Sequence, residues 1–139
     1  MVAVAVAAIL AAIAFPSYRA YVLRANRAYA RAVLVDIAAR MEAEALNARA
    51  YPDRIGFYIG SGDAAIAIDR NGRVVSEADA PADAPAIYRL ELASVGAQVE
   101  VRAEAVGAQV DDAQCRVLIL STSGLRSATP GNRSECWNR

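Results

Sequence analysis

The sequence contains no histidine and no lysine, so all fifteen of its basic residues are arginine. The absence of histidine removes the commonest general base and the commonest metal ligand of proteins. No serine has a histidine or a lysine that could activate it as a nucleophile. The paired acids Asp111 and Asp112 could take part in acid–base chemistry, but they more simply mark a polar turn before a strand. We therefore predict a non-enzymatic protein with no catalytic, metal-binding or cofactor-binding residues, no cofactor and no small-molecule substrate.

Aromatic residues and net charge are scarce as well. Nine of the 139 residues are aromatic, although apolar residues make up 56% of the chain, which is enough for the core of one domain. The net charge is zero, but the charges are unevenly distributed. Residues 1–49 hold six arginines and three acids, and residues 50–114 hold five arginines and eleven acids. Residues 116–139 hold four arginines and one acid. The basic ends could contact phosphate in lipid or nucleic acid, or the pattern could be chance variation on a solvated surface.

Cysteine is rare too, and the two cysteines, Cys115 and Cys136, lie near the C-terminus. Two thiols without histidine cannot build a structural zinc site, and their spacing is not the Cys-x-x-Cys of redox motifs. We therefore predict a disulfide, which indicates an oxidising compartment outside the cytoplasm. Two unrelated buried thiols are the alternative.

Residues 1–15 form one unbroken apolar run, MVAVAVAAILAAIAF. As a helix the run would cover about 22 Å of a hydrocarbon core about 30 Å thick, so it is too short to span a membrane comfortably. Ala12-Ile13-Ala14 resembles a signal-peptide cleavage site. However, a signal peptide requires basic residues before its apolar run, and none precedes this run. A membrane-spanning helix whose start is absent is the other interpretation.

A longer helical pattern follows the run and extends to residue 48. Pro16 lacks an amide hydrogen, and we expect it to kink the helix without ending it. Apolar residues recur at steps of three and four along one face, whereas Arg24, Arg27 and Arg31 lie on another. The pattern predicts one helix of about 45 residues, apolar all round in its first third and amphipathic thereafter. The predicted apolar stripe consists of Val22, Ala25, Tyr29, Val33, Ile37, Met41 and Ala45.

The remaining two thirds of the chain predict loops and then strands. Glycine, proline, asparagine and aspartate are frequent in residues 49–85, which predicts a loop region in which Asn71-Gly72 could turn a small hairpin. From Ala86 onward apolar and charged residues alternate, as in half-buried strands. Residues 116–120 are more hydrophobic and predict a central strand, and 125–128 predict a fourth strand. The fold class is therefore α+β, a long N-terminal helix packed on an antiparallel β-meander.

Both ends of the chain resemble type IV pilins. Residues 1–24 are similar to the N-terminal helix of that family, whose apolar run ends in the same Ala-Ile-Ala-x-Pro-Ser-Tyr-x-x-Tyr followed by a basic residue. Asp112-Ala-Gln-Cys115 and Glu135-Cys136-Trp137 resemble the C-terminal disulfide region of minor pilins. The resemblance implies a minor pilin, a structural or assembly subunit of a type IV pilus (fimbrium) that initiates or adapts the fibre and serves cell adhesion, twitching motility or DNA uptake.

The resemblance also implies a location and partners. Family members begin with a basic leader, a processed and methylated phenylalanine and a glutamate, so we expect the leader and the first mature residues to be missing upstream of Met1. Restoring about six residues would lengthen the helix by about 9 Å, which approaches spanning length. The expected partners are other pilins, through the N-terminal helix, and the bacterial inner membrane on its periplasmic side before export to the extracellular pilus. The expected segments are a transmembrane and fibre-core helix at 1–17 and a globular domain at 18–139, divided into helix 18–48, loops 49–85 and a sheet with the disulfide at 86–139.

Two alternative functions remain open at this point. A DNA-binding pilin for natural transformation would need cationic and stacking groups near the disulfide, which several C-terminal residues could supply. These arginines could equally be solvated, and Trp137 could pack under the loop. A pseudopilin of a type II secretion system is disfavoured by the predicted disulfide, since those proteins often use calcium instead. The candidate DNA-binding residues are Arg116, Arg126, Arg133 and Trp137, with Asn132 and Arg139 beside them.

Overall fold

The computed structural model describes residues 2–52, 55, 65–95 and 98–138. Helix α1, Val2–Ala48, continues through Pro16, which confirms the prediction of a single long helix. Alanine, the strongest helix former, supplies 17 of its 47 residues. The helix ends where Arg49 adopts a left-handed backbone conformation with φ 59°. Among the described residues, no helix combines the length and the hydropathy that crossing a membrane requires.

Six antiparallel strands form one sheet, followed by a short C-terminal helix. The strand order is β2-β1-β3-β4-β5-β6, so consecutive strands are neighbours except β2 and β3, which are separated by β1. A helix followed by an antiparallel sheet confirms the predicted α+β fold class. In chain order the elements are β1 (Ile66–Asp69), β2 (Val74–Ser76), β3 (Ala86–Val95), β4 (Gln98–Ala105), β5 (Val117–Ser121), β6 (Arg126–Thr129) and α2 (Arg133–Cys136).

The hairpin of β1 and β2 lies within the region predicted as loops, 49–85. The turn at Asn71-Gly72 forms as predicted, because Gly72 has a φ of 76° and the Asp69 side chain accepts hydrogen bonds from two backbone amides of the turn. However, β1 also pairs with β3, so the sheet begins well before residue 86. This hairpin extends the sheet on the side of β3, which leaves β5 second from the edge and not central as predicted. Residues 53–54 and 56–64 of the predicted loop region lie outside the described part of the chain.

The core lies between α1 and the sheet. In the second half of α1 the buried positions Val33, Ile37 and Met41 match the predicted stripe. Just before these positions the buried face is shifted by one residue from the predicted stripe, to Asn26 and Ala30, and α1 packs mainly on β4 and β5. The predicted stripe residue Tyr29 instead faces the β1–β2 turn, where its ring covers Gly72. The sheet residues buried opposite the helix include Ile68, Tyr88, Leu90, Val101, Ala103, Leu118 and Leu120.

Cys115 and Cys136 form the predicted disulfide. Their Cα atoms are 5.5 Å apart, and both side chains are buried. The bridge closes the part of the chain that contains β5, β6 and most of α2. It thereby fixes the C-terminal end of the chain beside the start of β5.

Candidate functional site

Two arginines of α1 hold the C-terminal segment, which we define as residues 130–138. The Nη1 group of Arg31 donates a hydrogen bond of 2.6 Å to the Trp137 carbonyl oxygen. The Nη1 group of Arg27 lies 3.2 Å from the Glu135 carbonyl oxygen and 3.1 Å from the Cys115 Sγ atom. The basic helix face predicted from the sequence therefore lies partly beneath the disulfide region, and Arg24 alone of its three members is exposed.

A buried ion pair lies beside this contact. Arg27 Nε is 2.9 Å from Asp112 Oδ2, and the two side chains are only 12% and 9% exposed. The contact is electrostatic, because the Nε–H bond does not point at a hydrogen-bond acceptor. Burial raises the pKa of the Asp112 carboxyl, and the Arg27 charge and a hydrogen bond from Gln109 oppose that rise. The neighbouring Asp111 is exposed and pairs with Arg19, so Asp111 and Asp112 do not form an acid–base pair.

Sequence analysis did not predict the polar network around Asp112. Gln109, fully buried, has its Nε2 group 3.0 Å from the Tyr88 hydroxyl and 3.3 Å from Asp112 Oδ2. Its Oε1 atom accepts a 2.8 Å hydrogen bond from Asn26 of α1. Burial raises the pKa of the Tyr88 hydroxyl, which stays protonated at neutral pH. The one signal in the sequence was Asn26, a polar residue between apolar positions of the helix.

Trp137 is buried and cannot stack on a nucleic-acid base. Its side chain is 6% exposed, and its Nε1–H group donates a 2.7 Å hydrogen bond to the Ser127 carbonyl oxygen of β6. This burial does not favour the stacking role expected of Trp137 and agrees with the alternative that the side chain packs under the loop. The indole lies against the edge strand β6, one residue after the disulfide-bonded Cys136.

Arg126 lies on top of this buried tryptophan. Its guanidinium carbon is 5.4 Å from the centre of the Trp137 ring, a distance typical of a cation–π contact. The Arg126 side chain is exposed on its other side. The structure thus brings together two of the candidate residues: Arg126 is an exposed cation, and the buried Trp137 ring lies beneath it.

Arg116 and Arg133 are exposed on either side of the disulfide. Arg116 directly follows Cys115, and its carbonyl oxygen accepts a hydrogen bond from Ala105, which extends the sheet ladder by one residue. Arg133 is the first residue of α2. Within the described residues, neither arginine, nor Arg126, forms an ion pair with an acid. We call these three residues the arginine surface; Arg139, a further candidate, lies outside the described residues.

The register of the sheet shows how two members of this surface are placed. Arg126 is paired with Leu120 near the end of β5, and Arg116 directly precedes the first residue of β5. The two arginines therefore lie near opposite ends of the β5–β6 pair.

Residues 16–119 match a family model described as type IV minor pilin ComP, DNA uptake sequence receptor. The chain belongs to this family. None of the curated proteins compared with the chain matches it. The matched part of this minor pilin extends from Pro16, in the first third of α1, into β5 and includes Arg116. β6 and α2, with Arg126, Arg133 and Trp137, lie beyond it. Membership confirms that the protein is a subunit of the type IV pilus system, as the resemblance at both ends of the sequence implied.

Proposed function

We propose that this minor pilin is a DNA receptor of the type IV pilus, which binds duplex DNA through the arginine surface. The observation that carries the proposal is the set of three exposed arginines around one disulfide, with no acidic partner among the described residues. The family is described as a DNA uptake sequence receptor, which supports the same function for this chain. Exposed guanidinium groups bind phosphate oxygens strongly because they donate two parallel hydrogen bonds.

The acidic middle of the sequence does not oppose this function as strongly as its charge suggests. Asp111 and Asp112 pair with arginines of α1, Arg19 and Arg27, which lie outside this stretch and lower its balance from −6 to −4. The other acids of the stretch that form ion pairs within the described residues pair with its own arginines, which the balance already includes. Residues 116–139 hold four arginines and one acid, so a polyanion would be attracted to the C-terminal part of the chain.

We further propose that the first part of α1 connects this receptor to other pilins. Phe15, Tyr18 and Tyr21 are 63–70% exposed, so the helix offers large apolar side chains that the sheet does not cover. Exposed apolar surface of this kind favours contacts with neighbouring helices or with lipid. The proposed arrangement places 1–17 among the helices of the fibre or in the inner membrane before assembly. The globular part, 18–139, then faces the periplasm or the outside of the pilus.

A titration of duplex DNA tests the receptor function. The full chain, purified in neutral detergent micelles, is titrated with fluorescent duplex DNA at several salt concentrations. We expect the double variant Arg116→Ala and Arg133→Ala to bind more weakly. If each arginine contacts one phosphate, the slope of log K against log salt falls by about 1.8. Circular dichroism checks that the variant is folded.

The matched control removes the same charge elsewhere. Arg40 lies toward the end of α1 and Arg70 in the β1–β2 turn, and both are exposed. The double variant Arg40→Ala and Arg70→Ala should bind DNA nearly as the unmodified chain does. Equal losses of affinity in both double variants would mean that net charge, and not the arginine surface, determines binding, and would contradict the proposal.

A further inference from the structure

Arg126 differs from the other two members of the arginine surface in what lies beneath it. Arg116 and Arg133 are exposed side chains with several rotatable bonds and no ring contact within the described residues. Arg126 lies over the Trp137 ring at 5.4 Å. A planar guanidinium on an aromatic ring loses much of its freedom before any ligand binds. The contact with the ring therefore restricts where the Arg126 guanidinium can lie.

The ring beneath Arg126 is itself fixed by several contacts. The Trp137 indole donates to Ser127 on one side, and the Trp137 carbonyl oxygen accepts from Arg31 of α1. The Trp137 amide donates a 2.9 Å hydrogen bond to the Arg133 carbonyl oxygen, and the preceding residue, Cys136, is held by the disulfide. The support of Arg126 is thus connected to α1, β6 and the disulfide, and it cannot turn without breaking one of these contacts.

The guanidinium of Arg126 has hydrogen-bond donors but no acceptor among the protein residues that the structure describes. No hydrogen bond or ion pair satisfies its N–H groups within the described part of the chain. In the major groove of DNA, guanine presents two acceptors, O6 and N7, at the spacing of two parallel guanidinium N–H groups. A phosphate can be approached from many directions, whereas the edge of a guanine lies in the fixed plane of its base pair, so the contact to guanine restricts the guanidinium more. Of the three arginines, the stacked one is the best suited to contact a base.

On the basis of the proposed DNA-receptor function, we infer that Arg126 contacts the O6 and N7 atoms of a guanine, whereas Arg116 and Arg133 contact phosphates. Arg126 is then the residue that determines specificity, and Trp137 is a positioning residue that acts through it. Recognition of guanine then requires both the two N–H groups of the guanidinium and the ring contact that restricts its position. Lysine keeps the charge at this position but lacks the guanidinium.

Selection from a randomised duplex pool tests the inference, because the pool lets the protein choose its own target sequence. The full chain in neutral micelles is used to enrich duplexes from the pool. We expect the enriched sequences to have a guanine at one common position. A duplex with the enriched sequence is then compared with the same duplex carrying 7-deazaguanine, which lacks the N7 acceptor, at each guanine. We expect the unmodified chain to bind the modified duplex about tenfold more weakly.

Three variants separate a contact to the base from a contact to phosphate. Arg126→Lys should bind the two duplexes equally while it retains most of its affinity for the unselected pool. Trp137→Phe places a smaller ring beneath Arg126 and removes the hydrogen bond to Ser127. This variant should reduce the difference in affinity between the two duplexes. Arg133→Lys, the matched control, should keep that difference unchanged. Thermal unfolding of each variant checks that the fold is intact.

The outcomes separate this inference from the proposal on which it rests. If Arg126→Lys still distinguishes guanine from 7-deazaguanine, or if the unmodified chain binds duplexes without enriching guanine, the role of Arg126 is wrong and the receptor function stands. If the unmodified chain binds no duplex DNA even at low salt, both the receptor function and the inference are wrong.

Discussion

Replacing Arg27 by methionine should destabilise the fold in a way that depends on pH. Methionine fills much of the volume of the arginine stem but leaves Asp112 buried without its cation. Breaking a buried ion pair by removing one partner costs about 3–5 kcal/mol of unfolding free energy. Asp112 keeps its hydrogen bond from Gln109, so we expect the lower value, about 3 kcal/mol at pH 7. For a domain of this size, that loss lowers the melting temperature by roughly 10 °C.

The sign of the pH dependence follows from the pKa of Asp112. Burial already raises this pKa above that of an unfolded aspartate, and removal of the Arg27 charge raises it further. The folded state then binds the proton more tightly than the unfolded state, so stability is lost as pH rises through the interval between the two pKa values. The stability difference between Arg27→Met and the unmodified chain should therefore be largest at pH 7. It should shrink as the pH falls toward about 4, near the pKa of an unfolded aspartate.

Thermal unfolding followed by circular dichroism, in neutral micelles at both pH values, measures the effect. Adding Asp112→Asn to the Arg27 variant removes the buried charge and should recover more than half of the lost stability at pH 7. Arg24→Met is the matched control, because Arg24 is exposed on the same helix and should change stability by less than about 0.5 kcal/mol. A loss below about 1 kcal/mol, or one that is equal at both pH values, would refute the argument that the pair stabilises the fold.

Two further predictions concern the turn at Gly72 and the disulfide. Gly72 and Gly124 have similar positive φ angles, 76° and 80°, so alanine at either should cost about 1–2 kcal/mol in denaturant unfolding. The loss of stability should be larger for Gly72→Ala, because the new Cβ would lie 2.8 Å from the Tyr29 ring. Tyr29→Ala should remove this additional loss, and equal losses at the two glycines would contradict the argument. Replacing Cys115 and Cys136 by serine should lower stability by about 3 kcal/mol, and an unchanged unfolding midpoint would contradict the stabilising role of the disulfide.

The local patterns in the sequence predicted most of the secondary structure. Alternation of apolar and polar residues fixes which face of a strand is buried, and β3 and β4 form where this alternation occurs. The Asn71-Gly72 pair predicted its hairpin because the turn needs a residue with positive φ. What these patterns could not predict is the partner of each element. The pairing of β1 with β3 depends on contacts between distant residues, which local patterns do not show. For this reason the predicted central position of β5 in the sheet was wrong.

The candidate site was predicted less completely than the fold. The composition of the C-terminus identified Arg116, Arg126 and Arg133, which are indeed exposed. It could not show that Trp137 is buried, because tryptophan can serve equally as a core residue or as an exposed stacking surface. Nor could it show that Arg27 and Arg31 contact backbone carbonyl groups some hundred residues away.

The contacts of Arg27 and Arg31 also determine how the domain would carry a mechanical load. If the arginine surface holds DNA, tension on the DNA pulls on residues enclosed by the disulfide, so β5 and β6 cannot be drawn out beyond that covalent bridge. The bridge lies directly against α1, since Arg27 contacts Cys115 Sγ and Arg31 contacts the residue after Cys136. Force can therefore pass from ligand to helix over a short path that does not cross β1, β2 or β3. Those strands would remain unloaded while the helix is pulled.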